Sequence, residues 1–198
     1  MIYCTEHERH QYEEAGYWRA LPEMVPSVSF QTRVYNEPSQ QDRFMVEEYE
    51  WFEVNTWDLF AGERILMFAL PGAFTPTCST YQLPSFEQLA EQFYDEGIAR
   101  ILCVTVNDAF VCNAWAKSNN LEHVEVIPDG SGKFTEAMNM MVDKDNLGFG
   151  RRSWRYACIV DNGTIEDWFI EEGREDNCKH DPYMYTNPEY ILQQIRGN

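Results

Sequence analysis

The sequence predicts an α/β fold with a central mixed β-sheet flanked by α-helices, and three observations lead there. Two short, continuous apolar runs, RILMFAL (64–70) and ARILCVTV (99–106), are too short for helices and read as strands buried on both faces. Stretches with apolar residues on one side only alternate with them and read as amphipathic helices. Near the C-terminal end, Asn162-Gly163 separates two β-rich runs, which is the strongest short hairpin signal a sequence offers.

Taken in order, residues 1–24 are polar and predict an appended arm, with a single domain over 25–198. VSFQTRVY (28–35) alternates partly like a strand, NEPSQQD is rich in turn residues, and MVEEYEWFEV predicts the second arm of an N-terminal β-hairpin. VNTWDLFAGE is a short helical turn capped by Asn55 or Thr56 and ended by Gly62. After the first apolar strand, Pro84 opens a pattern in which Phe86, Leu89, Ala90 and Phe93 share a face, and Gly97 ends it. Asn107 or Asp108 caps a helix that stops at Asn119-Asn120. VEVI predicts a strand, PDGSG a turn and KFTEAMNMM a short helix; Asn187-Pro188 opens the terminal helix EYILQQI. This succession of elements is that of the thioredoxin-type architecture.

Composition narrows the function. Among 198 residues, 33 acidic and 15 basic side chains give a net charge of −18, which repels phosphate backbones and anionic lipid surfaces. Nucleic acid and membranes are therefore not expected partners. The N-terminal segment has no basic stretch leading into an apolar one, so a cytoplasmic location is expected. Six scattered cysteines do not form the dense framework of a small secreted domain. Cys4, His7 and His10 are spaced C-x-x-H-x-x-H, but near a terminus and without an obvious fourth ligand they predict a polar arm, not a metal centre. Cys103, Cys112 and Cys158 lie in apolar contexts and read as core. Asp129 to Lys133, DGSGK, lacks the spacing of a phosphate loop and reads as a turn.

Cys78 is different. It follows the first buried strand in FALPGAFTPTCST (68–80), where two prolines, a glycine and several threonines present one thiol. The thiolate is the reactive form of cysteine, and a helix N-terminus or a nearby cation favours it. Pro76 suits the first turn of a helix, which aims backbone N–H groups at the sulfur. Thr75 lies about one turn upstream with a hydroxyl to offer. Ser79-Thr80-Tyr81 follows, so the C-x-x-C pair of a dithiol exchanger is missing.

PGAFTPTC resembles the P-x-x-x-[ST]-x-x-C signature of the peroxiredoxins, and together with LPSFEQLAEQF and VTVNDAFV it resembles their type-five (type II, atypical) subfamily, a branch of the thioredoxin-like superfamily. The likeness spans about 25 to 195. It implies that Cys78 is the peroxidatic cysteine, Thr75 the threonine that hydrogen-bonds peroxide, and Pro71 the proline that shields the site. It also implies that Arg155, in RRSWRYACIV, is the catalytic arginine, whereas Arg151 and Arg152 read as surface residues. The implied activity is reduction of hydrogen peroxide and organic hydroperoxides through a sulfenic acid, in antioxidant defence and redox homeostasis. No cofactor or metal is implied. The implied electron donor is external, glutathione with glutaredoxin or thioredoxin, and a homodimer is expected. Cys178, in EEGREDNCKHDP, stands near where some members keep a resolving cysteine, and external glutathione is the alternative resolving thiol. A peroxide-sensing switch or binding protein using the same sulfur with little turnover is the other reading.

Overall fold

A computed structural model describes residues 21–35 and 49–197. The polar arm up to residue 20, with its Cys4, His7 and His10, lies outside the described residues, as do the loop NEPSQQD and the start of the second hairpin arm.

Strand β1 (Ser29–Tyr35) pairs antiparallel with β2 (Tyr49–Asn55), forming the expected N-terminal hairpin. Asn55 then caps helix α1 (Thr56–Phe60): its side chain accepts from Asp58 N–H while the Asp58 carboxylate accepts from Asn55 N–H. The core sheet has the order β5-β4-β3-β8-β9. Here β3 is Arg64–Leu70, β4 Arg100–Thr105, β5 Val124–Pro128, β8 Tyr156–Asp161 and β9 Thr164–Ile170. β4 runs parallel to β3 and β5, whereas β8 is antiparallel to β3 and β9, so the sheet is mixed. Asn162 and Gly163, both with positive φ, make the tight β8–β9 turn.

Alternation along the strands divides the core in two. Leu66, Phe68, Leu70, Ile101, Cys103, Ala157 and Ile159 face one side, where Phe86, Phe93, Trp115 and Ile191 cover them. Ile65, Met67, Ala69, Leu102, Val104, Cys158 and Val160 face the other, against Phe30, Phe60, Phe134 and Trp154. Each fully buried Phe or Leu contributes about 1.5–3 kcal/mol, so these layers hold the fold. The helices of the first layer are α2 (Leu83–Gln88), α3 (Ala90–Asp95), α4 (Ala109–Ser118) and α6 (Pro188–Gly197). Helix α5 (Lys133–Ala137) serves the second.

The first helical turn begins at Pro76, as the sequence suggests, with Ser79 N–H bonded to Thr75 O at 3.0 Å. Three local features differ from the sequence expectation. A π-turn spans Cys78–Gln82, in which Leu83 N–H reaches Cys78 O. Pro84 has no N–H to close the ordinary ladder, which explains the wider turn just before it. The helix expected over KFTEAMNMM stops at Ala137, because Asn139 turns left-handed at φ 59° and the chain enters β6 (Met141–Asp143). β6 pairs with β7 (Arg151–Ser153), a small ladder outside the main sheet. Residues just before the expected domain start also join the fold: Ile165 N–H donates to Glu23 O at 2.9 Å, beside an isolated bridge from Met24 to Thr164.

Candidate active site

Strand β3 ends at Leu70, and Pro71 and Gly72 follow it, both buried. Phe74 then takes φ 59°, an uncommon left-handed conformation for a bulky side chain. The neighbouring loop holds this turn in place. Asn107 Oδ1 accepts from Ala73 N–H at 2.9 Å and from Thr105 Oγ1 at 2.9 Å, tying the loop to the end of β4. Asp108, not Asn107, caps α4 by accepting from Val111 N–H at 3.0 Å. Of the two cap-type residues, one thus serves the helix and the other the Cys78 loop. A Cβ on Gly72 would lie 3.4 Å from Thr75 Cγ2 and 3.5 Å from Asn107 Oδ1, at the tight end of ordinary contact.

The chain delivers Cys78 into the first turn of the helix, where its side chain is 1% exposed. Arg155, equally buried at 1%, enters from the start of the antiparallel half of the sheet, immediately before β8. Its Nη1 donates to Cys78 Sγ at 3.4 Å and to Gln82 Oε1. Its Nε donates to Pro182 O at 2.9 Å, and Nη2 pairs with the Asp181 carboxylate. The Tyr183 ring lies 5.7 Å from the guanidinium carbon. Burial works against the Arg155 charge, but the Cys78 sulfur and the Asp181 carboxylate outweigh it and hold the guanidinium above its ordinary pKa.

The strap that carries Asp181 and Pro182 is itself anchored. Glu171, buried just past β9, accepts from Met184 N–H, Thr186 N–H and Thr186 Oγ1, each at 2.8 Å. On the loop side, Thr75 Oγ1 donates to Gly72 O at 2.8 Å. Trp115 Nε1 donates to Ser79 Oγ at 2.9 Å, fixing the residue next to the thiol.

The structure thus brings Cys78 and Arg155 into contact and puts Thr75 and Pro71 on the same loop. Cys178 does not join them. It is buried in the core layer that faces the other side of the sheet from Cys78. Cys103, Cys112 and Cys158 are buried as expected, and burial pushes the thiols of Cys103 and Cys158 well up and that of Cys112 to about 12. Arg152 is more than a surface cation: half-buried, it donates to Val106 O at 2.7 Å and Phe149 O at 2.9 Å, and burial lowers its pKa. Gln82, Asp181 and Glu171 escaped the sequence reading, and Asn107 was read only as a possible helix cap. Of the first three, only Gln82 carried a local signal, a polar residue four positions after Cys78 amid apolar neighbours. No group of three or more His, Cys, Asp or Glu suited to a metal exists among the described residues.

Comparison with known proteins places the chain in a family. The family model described as Redoxin matches residues 52–183. A peroxiredoxin of Rhizobium etli is 52% identical over 177 residues, 89% of this chain and 97% of the relative. Peroxiredoxin sll1621 of Synechocystis is 46% identical, covering 89% of this chain and 91% of that protein. Among solved structures, reduced Prx3 of Vibrio vulnificus in complex with hydrogen peroxide superposes with a TM-score of 0.74 at 31% identity, over 90% of this chain and 97% of that one. Likeness of this extent in both sequence and fold means that the chain belongs to the peroxiredoxins, thiol peroxidases of the thioredoxin-like superfamily.

Proposed function

We propose that Cys78 is the peroxidatic thiol and that the substrates are hydrogen peroxide and small organic hydroperoxides. The observation that carries this is the Arg155 guanidinium 3.4 Å from the Cys78 sulfur in a buried site. The thiolate attacks the nearer peroxide oxygen: an S–O bond forms as the O–O bond breaks, two electrons pass from sulfur to the departing oxygen, and that oxygen leaves as water or alcohol after taking a proton. Cys78 is left as a sulfenic acid. Arg155, already desolvated and fixed by the strap, stabilises the charge without reorganising. The Thr75 hydroxyl hydrogen is committed to Gly72 O, so its oxygen serves as acceptor for the peroxide O–H. Pro71, buried beside Gly72, keeps bulk water from the sulfur.

The sulfenic acid is then reduced by an external thiol, glutathione with glutaredoxin or thioredoxin. Cys78 and Cys178 belong to core layers on opposite sides of the sheet, and a disulfide requires Cα atoms within about 7 Å. A Cys178 bridge therefore requires the segment around it to unfold first. A homodimer fits the exposed Trp51 and Phe110, which stack edge-on at 5.8 Å beside the N-terminal hairpin.

Intact mass after one equivalent of peroxide, with and without glutathione, tests the cycle. A single added oxygen that becomes a glutathione adduct is expected; loss of two hydrogens, mapped by peptide mass to a Cys78–Cys178 disulfide, would instead assign Cys178 as the resolving thiol. Cys78→Ser should end peroxide consumption, and undiminished turnover in that variant would overturn the assignment.

A further inference from the structure

Gln82 is fully buried, and its amide is only half used. Oε1 accepts from Arg155 Nη1, the nitrogen that also donates to the Cys78 sulfur. Nε2 has no partner among the described residues. The orientation is fixed by chemistry: a guanidinium carries donors only, so the amide atom facing it must be the oxygen. Gln82 follows Cys78 by four residues, about one turn along the same stretch of helix, and the two side chains meet at a single guanidinium nitrogen. An amide donor is thus held, buried and unspent, on a side chain that shares one guanidinium nitrogen with the reactive sulfur, and buried donors of this kind are rarely left without an acceptor.

We infer that Gln82 is a further catalytic residue, whose Nε2–H donates to the peroxide oxygen on which charge develops as the O–O bond breaks. The inference rests on Cys78 being the peroxidatic thiol. In the step the sulfur gains one oxygen, and the bonding electron pair of O–O goes to the departing oxygen, which leaves as water or alcohol with the proton that the Cys78 thiol released on ionising. Arg155 serves the sulfur side of this event. Gln82 supplies a neutral donor for the departing side, and its Oε1 keeps the guanidinium in place.

Two variants separate these roles. Gln82→Glu keeps an acceptor for Arg155 and removes the N–H donors; Gln82→Met has similar length and removes both. Each is read by two rates at Cys78: oxidation by hydrogen peroxide, followed by intact mass, and alkylation by iodoacetamide, followed by peptide mass. Alkylation reports the availability of the sulfur but releases no oxygen. The ratio of oxidation to alkylation rate is expected to fall about 10²-fold in both variants, the usual effect of deleting one donor to a developing oxyanion. An unchanged ratio in Gln82→Glu, whether both rates fall together or neither does, overturns the proposal and leaves Gln82 as a support for Arg155. Should Gln82→Met fail to fold, Gln82→Glu alone decides. Failure of the underlying assignment has a different signature, because wild-type Cys78 itself would then gain no oxygen from peroxide.

Discussion

At the scale of the residue, the site depends on a cation held without water around it. Arg155 places its three nitrogens on Cys78 and Gln82, on Pro182 and on Asp181, an arrangement that only a planar, forked side chain fits. Arg155→Lys keeps the charge and loses the fork, and the second-order rate of peroxide oxidation in stopped flow should drop about 10²- to 10³-fold. Asp181→Ala removes an acceptor from a buried cation, an interaction worth about 1.5–3 kcal/mol, so a fall of roughly tenfold or more is expected. Asp181→Asn retains an acceptor and should recover part of that loss; equal rates for the two variants would mean that only the charge of Asp181 matters. Cys78 was legible in the sequence because a loop of prolines and threonines delivers it into the first turn of a helix, whereas Cys103, Cys112 and Cys158 stand in plain apolar contexts. Asp181 was not, because it reaches Arg155 across 26 residues and its own neighbours carry no signal of that contact.

At the scale of the element, what the sequence disclosed was what local chemistry decides. The apolar strands β3 and β4, the Asn162-Gly163 turn and the caps at Asn55 and Asn187 all stand where side-chain pattern put them. The three-residue strands β6 and β7 were illegible, since strands this short show no period. The strap between β9 and α6 was equally silent. Its conformation is imposed by Glu171, whose carboxylate gathers two backbone N–H groups and a hydroxyl. Glu171→Gln weakens all three bonds to a now neutral acceptor, so urea unfolding should show a loss of about 1–2 kcal/mol. Because the strap holds Arg155, peroxide oxidation should slow in the same variant. Loss of stability with an unchanged oxidation rate would separate the strap from the site.

At the scale of the whole molecule, the buried thiols away from the site predict how stability responds to alkali. Burial raises the folded pKa of Cys103, Cys112 and Cys158, with Cys112 pushed to about 12. In the unfolded chain each returns to about 8.5, so above that pH the unfolded state releases protons that the folded state keeps. Stability from these groups is therefore complete below about pH 8.5 and is lost steadily as pH rises toward 12. The slope is about 1.4 kcal/mol per pH unit for each thiol, or roughly 2 kcal/mol apiece by pH 10. A protein of net charge −18 gains no relief by adding anions, so self-repulsion acts in the same direction. Melting temperature should change little between pH 7 and 8 on account of these thiols and fall progressively above 9 in thermal scans under reducing conditions. Cys112→Ala, which removes one of these three similar groups, should make the alkaline decline shallower by about one third of the thiol contribution. A melting temperature that stays level to pH 10.5, or an equally steep decline in Cys112→Ala, would show that the buried thiols do not govern the alkaline limit.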